Sequence, residues 1–283
     1  MGRGKRRART GVRVAVAKPI TALDRAAKEY RSTGCDLYRE LVRRCPVPSP
    51  QTSAGDGRKD SLSIDAAWAK SIEARLPGHT FPFCGAEAQV ELIGGRDTFD
   101  LVIHYLGQAY PGNFKASSGA KSQRNNVFGV EGFYFLLTGC RRKAKHKQMA
   151  EVVLALKDSE RSFPSEPVDY FFVHYNKTTS AIDIFPLMAI TPEGLQAGAS
   201  VNSTCGLQMN FSACAKHVRL DQPWEESCRL LLDLYIDWAE SRAQPHMILA
   251  GQTKRQMAQM HRRAHAPTKV APAKGEAKSQ TTH

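Results

Sequence analysis

Apolar positions along this chain follow two rhythms. Between Thr21 and Cys45 they recur at helical spacing, with Leu23, Ala27, Tyr30, Leu37 and Leu41 on one stripe, which predicts an amphipathic helix. Thr21-Ala22-Leu23-Asp24 resembles a capping box at its start, Ser32-Thr33-Gly34 is a candidate break, and Cys45-Pro46 ends it. Residues 46–60 carry Pro46, Pro48, Pro50, Gly55 and Gly57 among polar neighbours, which reads as a linker and the one internal boundary. A second helix is predicted over 63–76, with Asp65 in its first turn, Ile64, Trp68, Ile72 and Leu76 on one stripe, and Pro77-Gly78 as its stop.

Beyond that stop the period shortens. Residues 99–105 read as a buried strand, Gly107-Gln108 as a turn, and Asn113 to Ala116 as the strand that returns beside it. A polar Gly/Ser stretch leads to a helix expected over 126–137 and closed by Gly139. Residues 169–175 and 181–185 form a predicted hairpin, 206–211 a further short strand, and 224–241 the clearest helix, with Leu231, Leu234, Tyr235 and Trp238 spaced for one face. These elements predict an α/β fold whose central mixed sheet is flanked by helices.

Charge changes this picture at its edges. The 283 residues hold 40 Lys and Arg against 27 Asp and Glu, a formal net charge of +13, which favours an anionic polymer as partner. Much of the excess lies at residues 1–20, read as a basic arm, and at 251–283, read as a basic and disordered tail. The domain plan is therefore that arm, a helical region with linker at 21–60, a core at 61–250, and the tail. Arg141 to Lys147 forms a further basic cluster. Seven cysteines without regular spacing suit a reducing cytoplasm, and neither a membrane-spanning run nor a signal peptide is read in the sequence. The expectation is a cytoplasmic protein without a membrane partner.

Candidate chemistry lies in the paired strands. Asp100 opens an apolar strand, while Asn113 and Lys115, two residues apart, project from one face of the next. If those strands are neighbours, the three groups converge: a carboxylate and an amide oxygen suited to a hard cation, and an ammonium suited to a water or a phosphate.

An Asp followed by a (D/E)-x-K tripeptide on the adjacent strand resembles the PD-(D/E)XK nucleases, here as the N-x-K form Asn113-Phe114-Lys115. The similarity runs on through Pro111 to Ser117, Arg124 to Gly129 and Tyr134 to Gly139, which look like the strand, polar loop and helix of a group of Type II restriction enzymes. It covers about residues 68–238. The resemblance implies a restriction-endonuclease-like core and Mg²⁺-dependent hydrolysis of double-stranded DNA at a specific sequence. It also implies a homodimer, since two-fold symmetry suits a symmetric site. Asp100, the Asn113 amide oxygen and the Phe114 carbonyl would hold Mg²⁺, and Lys115 would act on the attacking water. Asn113 is neutral where the family usually has Asp or Glu, which lowers the charge available to a second metal. An acidic residue from an upstream helix often completes such sites; Glu73, Glu87 and Glu91 compete, and Glu87 is favoured if residues 86–92 are helical.

Other signals are weaker. Gly119-Ala120-Lys121-Ser122 lacks the earlier glycine of a phosphate-binding loop. His261 and His265 are four apart but without Cys or acidic partners, Asp97 belongs to the turn after Gly94-Gly95, and Cys205, Cys214 and Cys228 form no C-x-x-C pair. Tyr134, Phe135, Tyr170, Phe171, Phe172 and Tyr175 read as core rather than as base-stacking groups. The competing functions are a basic nucleic-acid-binding protein without catalysis, and a repair or junction-resolving nuclease of the same superfamily.

Overall fold

A computed structural model describes residues 20–48, 57–93, 99–118, 124–139, 163–201 and 206–249. Helix α1 (Ala22–Arg44) starts where its capping box requires: Asp24 N–H donates to Thr21 Oγ1 at 3.0 Å, and Thr21 N–H donates to Asp24 Oδ2 at 3.0 Å. The expected break at Ser32-Thr33-Gly34 does not occur. A Cβ on Gly34 would overlap the Phe171 ring, so the glycine serves a close helix-to-sheet approach. Helix α2 (Gly57–Arg75) begins earlier than the stripe suggests and ends at Pro77-Gly78, with Gly78 at φ 68.

Next come β1 (Thr80–Phe83), β2 (Ala86–Leu92), β3 (Leu101–Tyr105) and β4 (Gln108–Ser117), an antiparallel meander. Leu106 and Gly107, at φ 48 and 77, make the two-residue turn between β3 and β4, one position earlier than the sequence suggested. The chain then forms β5 (Asn125–Phe128) and α3 (Val130–Thr138) before returning as β6 (Phe171–Asn176), parallel to β4. Strand β7 (Ile182–Pro186) closes the predicted hairpin with β6, and the main sheet has the order β1-β2-β3-β4-β6-β7. The helix expected over 126–137 is corrected here. Its first residues are strand β5, and Gly129 caps a shorter helix that ends, as predicted, at Gly139 with φ 71.

Helix α4 (Pro192–Gly198), β8 (Ala199–Val201), β9 (Leu207–Met209), the short α5 (Phe211–Cys214) and α6 (Trp224–Leu249) complete the described elements. Strands β5, β9 and β8 form a separate three-stranded sheet in that order. The protein is thus α/β, a mixed six-stranded sheet flanked by helices.

The main sheet has two differently used faces. On one, Leu101, Ile103, Phe114, Phe171 and Val173 pack with Tyr38, Leu41, Trp68 and Ile72 of α1 and α2; the Trp68 and Phe114 rings lie 5.1 Å apart. On the other, Tyr170 and Phe172 meet Phe128 and Phe211. Helix α1 is tied to the centre by Arg31, whose Nε donates to Asp169 Oδ2 at 3.1 Å with both side chains buried. One compact unit covers residues 1–238 and includes α1; a second covers 239–283, of which the end of α6 is described. The basic arm before Ile20, the cluster at 141–147 and the tail after Leu249 lie outside the described residues. No described helix is long and apolar enough to cross a membrane.

Candidate active site

The site arises where β4 outruns β3. Asp100 N–H donates to the Gly112 carbonyl at 3.0 Å as the two strands meet. Beyond this point β4 continues to Ser117 without β3 beside it. The next N–H on that edge, Phe114 N, donates instead to Asp100 Oδ2 at 2.8 Å. A peptide group left over by the strand mismatch thus fixes the carboxylate. Gly112 lets the strand lie close to α1, since a Cβ there would overlap the Tyr38 hydroxyl, which itself donates to the Tyr110 carbonyl at 2.7 Å.

Lys115 Nζ lies 3.9 Å from Asp100 Oδ2, an ion pair too long for a good hydrogen bond. Their side chains are 22% and 27% exposed, so solvent and solutes reach both. Burial pushes the Asp100 carboxyl up from its ordinary value, opposed by the Lys115 charge and the Phe114 N–H. Asn113, on the same face as Lys115, is only 3% exposed, and its Oδ1 has no hydrogen-bond partner. A buried amide oxygen left bare costs about 1–3 kcal/mol. Phe114 points its ring into the opposite core, so it can add only its backbone to this site.

The sequence did not single out the second acid. Asp65 of α2 has its pKa pushed up to about 6, first by burial and then by the charge of Asp100, with Lys115 opposing. It therefore shares the electrostatic space of both. The sequence placed Asp65 in the first turn of a helix starting at 63, which invited a helix-dipole reading, but α2 starts at Gly57 and Asp65 lies two turns inside it. The usable signal was its place three residues before Trp68, the side chain that seats α2 on Phe114 in the strand carrying Lys115.

The favoured Glu87 is not brought to this site. Residues 86–92 are strand β2, with Ala88 and Val90 buried in the alternation of a strand and Glu87 exposed. Ile93 N–H donates to the Asp100 carbonyl, which sets the level of Asp100 in the sheet. Glu87 lies six residues further along, roughly 20 Å away at strand rise. Glu91 also sits on β2, and its Oε2 pairs with His104 Nε2 at 2.9 Å. Glu73 is exposed on α2, two turns beyond Asp65. Asp97, Lys121 and the His261–His265 pair lie outside the described residues.

Further along the same face of β4, Ser117 Oγ lies 2.7 Å from His174 Nε2, and His174 Nδ1 lies 3.2 Å from Asp183 Oδ2. The order is that of a nucleophile, base and acid. However, Ser117 is 3% exposed and His174 fully buried under Phe211, which leaves no room for a substrate at the hydroxyl. The cysteines described are free, and burial pushes the thiols of Cys35, Cys214 and Cys228 up to about 12, which makes them core groups.

Among the described residues no three His, Cys, Asp or Glu side chains group as metal ligands. The donor set at hand is two carboxylates and an amide oxygen. All are hard oxygen donors, and the Asp100 charge raises the cost of ionising Asp65, an arrangement that a small divalent cation would relieve. No protein-family model and no curated protein matches this sequence.

Proposed function

We propose that the protein is a Mg²⁺-dependent endonuclease acting on double-stranded DNA, in the manner of the Type II restriction enzymes of the PD-(D/E)XK kind. The observation that carries this reading is the buried, unpartnered Asn113 Oδ1 on the strand face of Lys115, whose Nζ lies 3.9 Å from Asp100 Oδ2. Sheet order supports it as well. A meander places Asp100 and Asn113-Phe114-Lys115 on adjacent strands, and the chain then crosses to a strand parallel with β4, so the N-x-K strand is central.

Asp65, Asp100, the Asn113 amide oxygen and the Phe114 carbonyl would hold the ion. When bound, Mg²⁺ would offset charge on the scissile phosphate and acidify a water. Phe114 N–H keeps Asp100 oriented through this. Lys115, reachable from solvent and held near Asp100, orients the attacking water and offsets charge as the water oxygen bonds to phosphorus and a bridging P–O bond breaks. Cutting both strands of a symmetric site calls for a homodimer. The proposed compartment is the cytoplasm, where free thiols persist.

Plasmid DNA incubated with the protein and Mg²⁺ should give discrete fragments. Retarded but uncut DNA would favour a basic binding protein, and nicks confined to branched or damaged substrates would favour a repair or junction-resolving nuclease. Lys115→Ala should abolish cleavage while binding in Ca²⁺, followed by gel shift, stays within a few-fold of wild type. Cleavage at the wild-type rate would remove Lys115 from the mechanism.

A further inference from the structure

The small sheet carries a polar row on its outer side. Arg124 precedes strand β5, which opens with Asn125-Asn126 although Asn is disfavoured on a pleated surface. The inner side of this sheet is apolar and buried: Val127, Phe128, Ala199, Val201, Leu207 and Met209. Phe128 meets Phe133 and Tyr170 edge-on, at 5.2 and 5.3 Å between ring centres. Tyr170 lies on the side of Phe172, the register partner of Asn113, so the small sheet is seated on the face of the main sheet that bears Asn113 and Lys115.

On the outer side, Asn126 pairs in register with Gln208, and Gln208 with Ser200. One polar rung therefore crosses all three strands. Gln208 Nε2 donates to Asn126 Oδ1 at 2.9 Å, which aligns the two amides; Asn126 is exposed, Gln208 and Ser200 half-buried. Arg124 stands exposed at the entry of the strand, and the buried Nδ2 of Asn125 has no hydrogen-bond partner.

We infer that the rung Asn126–Gln208–Ser200 reads a base pair containing adenine in the major groove of the DNA substrate, with Arg124 on an adjacent phosphate. Amide side chains match the N6 and N7 edge of adenine, and a rung of three strands spans about 10 Å, inside a groove about 12 Å wide. The net charge of +13 supplies the attraction to a polyanion. Duplex RNA is the poorer fit, because its major groove is too narrow for a sheet. This inference rests on the DNA-cleaving reading above.

The experiment uses the full chain. Cleavage of a random-sequence duplex library in Mg²⁺ defines the site, and fluorescence anisotropy in Ca²⁺ across a salt series gives affinity for that site, for an unrelated DNA duplex and for an RNA duplex. Gln208→Ala and Asn126→Ala should each lose tenfold or more of their discrimination at one A·T position, with affinity for unrelated DNA unchanged. Arg124→Ala should weaken both DNA duplexes alike and lower the salt slope by about one. Gln208→Met, which keeps the length of the side chain, should repeat the Gln208→Ala result if that variant folds poorly. Variants that hold unrelated DNA normally and keep full discrimination at every position overturn the inference while leaving the endonuclease intact. A wild-type protein that binds no duplex DNA, or prefers RNA, removes the endonuclease reading and this inference with it.

Discussion

Asp169 and Asp100 are carboxylates beside a cation on the same sheet, and their surroundings differ in completeness. Asp169 is fully buried and accepts from Tyr170 N–H at 2.7 Å, Met188 N–H at 2.9 Å and Arg31 Nε at 3.1 Å. Arg31 spends its remaining donors on the carbonyls of Met188, Leu220 and Gln222 and on Ser227 Oγ. Asp100 accepts from one peptide N–H, faces Lys115 across 3.9 Å, and its charge helps to raise the Asp65 carboxyl, while Asn113 Oδ1 on the adjoining strand is bare. The first grouping is finished by the fold and acts as a clamp between α1, β6 and the start of α6. The second leaves Asn113 Oδ1 bare and gives Asp100 a single peptide donor, and that incompleteness is what makes it a candidate site.

Removing a piece of the finished grouping should cost most. Arg31→Ala strands a buried carboxylate and should lower stability by about 3–5 kcal/mol. Urea unfolding measures this, and the loss should be the same with and without Mg²⁺. A loss that Mg²⁺ restores would mean that the clamp, too, is a ligand site.

The unfinished grouping should behave in the opposite sense. Asp65 has its pKa raised from 3.8 to about 6, so between those values the folded protein holds a proton that the unfolded chain has lost. Stability therefore falls as pH rises through that window, and the full penalty is present above about pH 6. Asp65→Asn should remove the penalty and raise stability at pH 7 by roughly 1 kcal/mol after allowance for solvent screening, flattening the melting temperature against pH. The same variant should weaken Mg²⁺ dependence and cleavage. A destabilised Asp65→Asn protein at pH 7 would show that the carboxylate is satisfied rather than waiting.

Asn113 sharpens the contrast. With Oδ1 bare, Asn113→Ala should change stability by under about 1 kcal/mol, small for a side chain so deeply placed, yet should lose most cleavage. Asn113→Asp should keep Mg²⁺-dependent cleavage and bind the ion at least as tightly, though an added charge near the phosphate slows turnover. Cleavage rates across a Mg²⁺ titration for the three proteins decide this, and an Ala variant with an unchanged curve removes Asn113 from the site.

The sequence made some of this contrast legible. Local signals held: the Thr21 capping box, the β6–β7 hairpin and the Pro77-Gly78 stop are written in residues a few positions apart. Asp100 was legible as a neighbour of β4, and Asn113 and Lys115 as sharing one of its faces, because strand alternation fixes which side chains do so. Asp65 and Glu87 were not, because that choice turns on long-range packing. It required knowing that residues 86–92 alternate as a strand and that Trp68 seats α2 on Phe114. Arg31 gave no local sign either, since its partners lie between 138 and 196 residues away along the chain.

His174 offers an intermediate case and the smallest expected effect. Its two nitrogens meet Ser117 Oγ at 2.7 Å in the interior and Asp183 Oδ2 at 3.2 Å near the surface, where the Asp183 side chain is 40% exposed. Asp183→Asn keeps an oxygen beside the ring and loses only a solvent-screened charge, so stability should shift by less than about 1 kcal/mol. Ser117→Ala leaves Nε2 without this partner in the core and should cost more, about 1–3 kcal/mol. Neither change reaches Asp100 or Lys115, so both variants should cut DNA at near the wild-type rate once folded. Thermal melts and cleavage assays on the pair test this together. Loss of cleavage in Ser117→Ala with an unaltered melt would move the chemistry from the oxygen-lined site to the serine, and would make the buried hydroxyl, not Asn113, the group that the fold leaves unfinished.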